Sequence, residues 1–306
     1  MKKTQSIRQS GKHAGIKIQS RGEKVFDACL NAFGVILVAI ILYPIYYVLI
    51  ASVSQPLPVE NGSVILTPVG FNLDSYRQAF RTPFLWTSLM NSLYYTFGGV
   101  LVNMAFSTTM AYALSKKRLV GRKIFTLFTV FTMWFSAGII PLYMTFRDFH
   151  MLNSRNAILF GFAMNTYNMI ILKSFFEQVP ESLEEAAFID GAGDFRIFSK
   201  IYLPLSKPAL ATVGLFYAVN RWNGYFWPMN LLTDDSKVPL QVLLKKLLVD
   251  KVKNEMESAI VTASSLSNQT TIIYALIILA IIPMAIVYPF VQKYFRSGLT
   301  LGANKG

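Results

Sequence analysis

A chain of 306 residues is long enough for two soluble domains, but 53% hydrophobic residues, 15% charged residues and a mean hydropathy of +0.42 exclude that arrangement. The formal charge of +13 would point a soluble protein toward nucleic acid. Here the basic residues sit between apolar runs, so no nucleic-acid partner is expected. One cysteine, Cys29, excludes an intramolecular disulfide; with two histidines, His13 and His150, neither a metal site nor a catalytic constellation is expected, and the chain reads as no enzyme.

Residues 1–24 form a basic, polar tail too long for the start of a cleavable signal peptide, and the apolar run behind it is too long for an h-region, so it reads as a retained first helix. Six runs of membrane-crossing length follow, at about Ala32–Val53, Thr87–Leu114, Ile124–Phe146, Asn156–Phe176, Ala209–Leu231 and Thr271–Val291. Pro44, Gly98-Gly99, Pro141, Pro228 and Pro283 fall inside them. Such residues are tolerated where neighbouring groups or water satisfy the freed carbonyls, which favours a cavity-forming bundle. Nineteen of the 29 lysines and arginines lie in the N-terminal tail, the second-to-third connection, the fourth-to-fifth loop and the C-terminal end. The positive-inside rule places those segments in the cytosol. The expected fold is therefore all-α integral membrane, with six transmembrane helices and N- and C-termini cytoplasmic. It divides into the tail 1–24, a transmembrane domain 25–295 with external loops 54–86 and 233–270, and a cytoplasmic C-terminal tail 296–306.

The loop 177–208 is a polar, acidic island between two apolar runs, and its carboxylates must lie outside hydrocarbon. Ser182 with Glu185 three residues on has the spacing of a capping box for a helix running to about Asp190. Gly191 permits a turn, Phe195–Tyr202 suits a second short helix, and Pro204 and Pro208 stop it and start the fifth run. Phe188, Ile189, Phe195, Phe198 and Ile201 give this island an apolar face that needs another protein or the chain's own helix ends. Further on, Arg221 lies well inside a predicted span, unlike Lys173 at the edge of the fourth, with Trp222, Asn223 and Tyr225 beside it. An arginine at that depth marks either a functional site, where guanidinium would pair with a carboxylate, or a side chain bonded to helix carbonyls. The segment Val242, Leu243, Leu244, Leu247, Leu248, with Lys245, Lys246 and Lys251 interleaved, reads as an amphipathic helix in the external loop.

Glu185-Ala186-Ala187, Asp190-Gly191-Ala192, Ile201 and Leu203-Pro204 together resemble the EAA motif of bacterial ABC-importer permeases. Trp222-Asn223, Phe226 and Pro228 resemble a segment of the carbohydrate-uptake permeases of the maltose-transporter type. Tyr288-Pro289-Phe290 and Gly298–Gly306 resemble the terminal signature of the second permease of such pairs, and Pro239-Leu240-Gln241 resembles the oligosaccharide branch. Arg221 before Trp222 and Asn304 in the terminal signature depart from the pattern. The resemblance implies a type I ABC importer permease fold in the bacterial plasma (inner) membrane. It implies assembly with a second permease subunit, an ATP-binding subunit dimer and an extracytoplasmic solute-binding protein, for uptake of an oligosaccharide; an acidic, uronate-containing one would suit Arg221. No phosphate-binding GxxxxGK[ST] loop occurs, so ATP and Mg are expected in the partner subunits and no cofactor in this chain. By resemblance, ATPase coupling falls to Glu185, Ala186, Ala187, Asp190, Gly191, Phe195, Leu203 and Pro204. Arg221, Trp222, Asn223 and Tyr225 fall on the substrate pathway, and the loop 233–270 would probe the binding protein. An importer of peptides or phosphate, and a stand-alone secondary transporter, are the alternatives.

Overall fold

The computed structural model of the chain describes residues 21–257 and 263–303, with side chains for 22–250 and 269–289. Among the described residues the regular secondary structure is all helical, with no strand. Backbone contacts divide the chain into two units, 1–47 and 48–306.

The first unit holds most of helix α1 (Arg21–Ser52), which begins eleven residues before the predicted span. Val25, Phe26, Phe33, Val35 and Ile41 are all more than half exposed. A helix apolar on every side and covered on none is suited to lipid, not water.

The second unit begins with the end of α1 and continues through two short helices, α2 (Pro56–Glu60) and α3 (Asp74–Phe80), to the long α4 (Leu85–Ser115). α4 matches the second predicted span within two residues at each end, and it runs through all three apolar clusters of the core. Leu85 packs with Leu240 and Leu276, Tyr95 with Phe146 and Ile158, and Leu114 with Met169 and Tyr202. Its buried face is mostly small or polar: Ser88, Asn91, Ser92, Thr96, Gly99, Asn103, Ser107, Ala111 and Ser115 recur at three- and four-residue spacing. Such a face lets neighbouring backbones approach closely and offers hydrogen bonds to them.

Those neighbours need the bonds, because three predicted spans are not continuous helices. The third is α5 (Arg122–Trp134) and α6 (Ile139–Asp148), bent by 114° around Gly138, whose φ is +85°. The fourth is α7 (Arg155–Phe160) and α8 (Thr166–Phe176). Gly161 stands at that break because a Cβ there would overlap the Phe146 ring. After the acidic segment, formed by α9 (Glu181–Ile189), α10 (Asp194–Ile197) and α11 (Leu203–Leu205), the fifth is α12 (Lys207–Asn223) and α13 (Phe226–Leu231), parted at Gly224. α14 (Leu240–Glu257) and α15 (Ala263–Ala303) complete the order, and α15 covers the sixth predicted span without a break. By length and composition, α1, α4 and the 269–289 part of α15 could each cross a membrane, and the α5–α6 pair would make a fourth.

Val242, Leu243 and Leu244 of the amphipathic α14 are buried against the protein's own core. Lys251 and the terminal signature beyond residue 289 have no described side chains, and residues 1–20 and 304–306 lie outside the described residues.

Candidate central cavity and acidic docking segment

A cavity of about 870 Å3 opens where the fourth and fifth spans break, bounded by residues of α4, 158–168 and 216–228. A helix break leaves carbonyls on one side and N–H groups on the other without intrahelical partners. At the α7 end, Arg221 fills that need. Its Nη2 donates to the carbonyls of Leu159 (3.2 Å) and Phe162 (2.9 Å), its Nη1 donates to that of Ile158, and its Nε donates to Asn103 Oδ1 (2.9 Å). Asn103 Nδ2 in turn donates to the Phe162 carbonyl (2.6 Å). At the α8 end, Asn165 Oδ1 accepts from the Asn168 amide (3.1 Å), and the Tyr217 hydroxyl accepts from the Asn165 amide (3.0 Å) while bonded to Ser107 (2.6 Å). Gly99 makes room for this: a Cβ on it would lie 2.7 Å from Arg221 Nε.

The four residues assigned to the substrate pathway therefore divide. Arg221 lines the cavity but is held on helix carbonyls, the second of the two readings open from sequence. It has no carboxylate partner among the described residues. Trp222 is buried, its Nε1 donating to the Ala280 carbonyl (3.1 Å), and it ties α12 to α15 instead of facing the cavity. Asn223 and Tyr225 line the cavity. Sequence reading missed the other amides, Asn103, Asn165, Asn168 and Asn220, and the rings of Tyr167 and Trp227. They lie far apart in sequence, and only the breaks gather them.

The acidic segment has a different chemistry. α9 starts after Pro180, so Ser182 is inside the helix and makes no cap; the expected capping box is absent. Its C-terminal end is closed by a Schellman pair of bonds, Ala192 N–H to the Ala187 carbonyl (2.9 Å) and Gly191 N–H to the Phe188 carbonyl (3.0 Å). Gly191 has φ +77°, where a Cβ is strained, and Ala187 and Ala192 pack together against the core. The second helix continues past α10 through a π-turn, Phe198–Tyr202, in which the Leu203 N–H reaches back to the Phe198 carbonyl. That wider register absorbs Pro204, which has no N–H to donate. Pro204 thus lies within the helical run, which ends at Ser206, while Pro208 starts α12 as expected.

Charge divides α9 into two faces. Lys116 Nζ, at the end of α4, lies 2.6 Å from Glu184 Oε2, and the Tyr202 hydroxyl donates to the same oxygen at 2.6 Å. The pair is nearly enclosed, with side chains 8% and 12% exposed, and Lys116 Nζ stands 4.1 Å and 3.6 Å from the ring centres of Tyr112 and Tyr202. Burial would raise the Glu184 carboxyl, but the bonds from Lys116 and Tyr202 and the charges of Lys116 and Arg118 outweigh it and hold its pKa below 4.5. Burial also pulls the Lys116 ammonium below its usual range, against the bond and charge of Glu184. Burial, then Glu184, pushes the Tyr202 phenol upward. Further pairs join the same two segments: Lys117 to Glu181 (2.6 Å), Arg118 to Asp194, and Arg122 to Glu177. The carboxylates of Glu185 and Asp190, by contrast, are exposed and bonded to no described residue. Ala186 and Pro204 are exposed with them, Leu203 is half-buried, and Ile189 and Phe195 stand 86% and 80% exposed; only Phe198 and Ile201 of the predicted apolar face turn inward. Glu184, Lys116 and Tyr202 escaped the sequence reading, which took Glu185 and Asp190 as the carboxylates of consequence.

Interrupted helices around an amide-lined cavity, with an apolar patch beside free carboxylates on a polar loop, define a membrane transport subunit. Residues 103–300 match the family of binding-protein-dependent transport system inner membrane components, and the chain belongs to that family. It is 40% identical over 283 residues to the polygalacturonan/rhamnogalacturonan transport system permease protein YtcP of Bacillus subtilis (strain 168), covering 92% of this chain and 99% of that one. Protein LplC of the same organism is 35% identical, with 94% and 97% covered. A solved structure, described as a bacterial ABC transporter involved in the import of the acidic polysaccharide alginate, superposes with a TM-score of 0.82. It is 42% identical, with 90% of this chain and 99% of that one covered. The type I permease fold implied by the EAA residues is thereby borne out.

Proposed function

We propose that this chain is a permease subunit of an ATP-driven, binding-protein-dependent importer of acidic oligosaccharides in the bacterial inner membrane. The observation that carries the reading is likeness along nearly the whole chain, at 40% and 42% identity, to two transporters whose descriptions name acidic polysaccharides. The cavity supports it: amides and aromatic rings suit hydroxyl-rich sugars, and a guanidinium with no carboxylate partner in the described chain leaves positive potential for a uronate.

Six crossings with both termini cytoplasmic fit the broken helices. α5 rises about 20 Å, and the non-helical residues 135–138 lead into α6, which is turned by 114° from it. The acidic segment then faces the cytosol. Ile189 and Phe195 would seat in an ATP-binding subunit, with Glu185 reaching a basic residue on it and Ala186, Asp190 and Pro204 at the rim. Partners are a second permease, an ATPase pair holding ATP and Mg, and an external binding protein.

The test is co-purification from native membranes followed by ATP hydrolysis with oligogalacturonides or neutral oligosaccharides of equal length. An ATPase and a second permease should be recovered, and both should be lost from Ile189→Asp/Phe195→Asp while that chain still inserts and folds. Stimulation by neutral sugars alone would overturn the acidic substrate, and a chain that purifies alone would overturn the importer.

A further inference from the structure

We propose that Lys116, Glu184 and Tyr202 form the positioning element that locks α9 to the end of α4, so that movement imposed on α9 is delivered to the cavity. The proposal rests on the importer reading above.

α9 has no fully buried residue, and of its apolar side chains Ala187 packs on the core. Its attachment therefore depends on charge. Most of the surrounding ion pairs are poor fasteners: Lys117–Glu181 is 76% and 60% exposed, and such pairs contribute little in water. Lys116–Glu184 differs in kind. The carboxylate is held by an ammonium and a phenol at 2.6 Å each, and the ammonium is enclosed by two rings. Removing Glu184 would strand the Lys116 ammonium in a low-dielectric site, whereas removing Lys116 would leave Glu184 with Arg118 alone, whose Nη2 stands 3.8 Å from its other oxygen. The three parts come from three elements: Lys116 follows α4, Glu184 sits on α9, and Tyr202 ends the π-turn, whose extra residue per turn sets where its hydroxyl falls.

From Lys116 the same helix leads inward. Ser107 meets Tyr217 and Asn103 meets Arg221, roughly 20 Å along α4, and these are the groups that satisfy the break lining the cavity. Neighbouring glutamates thus divide the work: the Glu185 side chain faces outward with no partner among the described residues, and Glu184 fastens α9 to the body. A tether made of one enclosed pair keeps α9 from sliding under load.

The test is the whole transporter, co-expressed with its partner subunits and reconstituted with its binding protein, measuring solute moved per ATP hydrolysed. ATP-driven uptake by the unmodified complex comes first; its absence sinks the importer reading itself, whatever the variants do. Given uptake, Glu184→Gln and Lys116→Met should still assemble and hydrolyse ATP but move about tenfold less solute per ATP. Lys116→Arg should retain most of the coupling, and Glu181→Gln, which breaks an exposed pair, should retain it all. An unchanged ratio in Glu184→Gln, or an equal fall in Glu181→Gln, overturns the proposal. Should Glu184→Gln and Lys116→Met fail to assemble, Tyr202→Phe removes one bond and keeps the ion pair: a lowered ratio supports the lock, and an unchanged one overturns it.

Discussion

Adding one methyl group at Gly99 should destabilise the protein only while Arg221 is present. A Cβ at residue 99 would lie 2.7 Å from Arg221 Nε, 3.0 Å from its Cδ and 3.1 Å from its Cζ. The guanidinium has little room to retreat, since Nε, Nη1 and Nη2 are engaged with Asn103 and three carbonyls. Interhelical side-chain hydrogen bonds in membrane proteins average about 0.6 kcal/mol and reach about 1.7. Displacing the group from four acceptors beside a water-accessible cavity should therefore cost about 2–5 kcal/mol. Alanine offsets about 1 kcal/mol of this, because it favours helix over glycine by that amount. Gly99→Ala alone should then cost about 1–4 kcal/mol. In an Arg221→Ala background the obstruction is gone, and the same substitution should be neutral or stabilising by up to about 1 kcal/mol. Reversible unfolding of the detergent-solubilised chain, followed by tryptophan fluorescence, measures both steps of the cycle. Equal costs for Gly99→Ala in the two backgrounds would refute the contact between them.

Gly161→Ala should lower the melting temperature by the equivalent of about 1–3 kcal/mol or more, because its methyl must displace both the Phe146 ring and the Ala157 backbone carbonyl; an unchanged melting temperature would show that the break does not need glycine. Stability should also fall in acid. The Glu184 pKa lies below its ordinary 4.5, so its contribution is full above that pH and is lost as pH falls through the lower folded-state value. Melting curves from about pH 6 to about pH 3 should therefore be flatter for Glu184→Gln, and identical slopes would remove Glu184 as their source.

What the amino-acid sequence discloses of this protein follows from how local each feature is. α4 and the central part of α15 are uninterrupted apolar runs, and their limits are readable because hydrophobic length is itself the signal. The turn at Gly191 is equally local: one glycine, flanked by Ala187 and Ala192, closes a helix end. The breaks at residues 161–165 and 224–225 are hidden because apolar composition continues across them. The reason for breaking is distant: Arg221 and Asn103 lie roughly 60 residues from the carbonyls they satisfy. Glu184 and Glu185 are chemically identical neighbours, and one helical step of about 100° turns the first toward Lys116 and the second outward. No local pattern announces which is which. Lys116 misleads in the same way, since it adds to the charge count that sets sidedness and yet is buried.

The guanidinium at the α7 end also bears on which ions the cavity would refuse. Arg221 stays protonated at any physiological pH, and its partners in the described chain are neutral oxygens. The C-terminal dipole of a six-residue helix offsets only part of that charge. A standing positive charge in the cavity wall repels sodium and hydronium ions wherever the cavity fills with water. The arginine that mends a broken helix would thereby also oppose cation leakage through the cavity, which an uptake assay of Arg221→Gln run beside a sodium- or proton-leak assay would read.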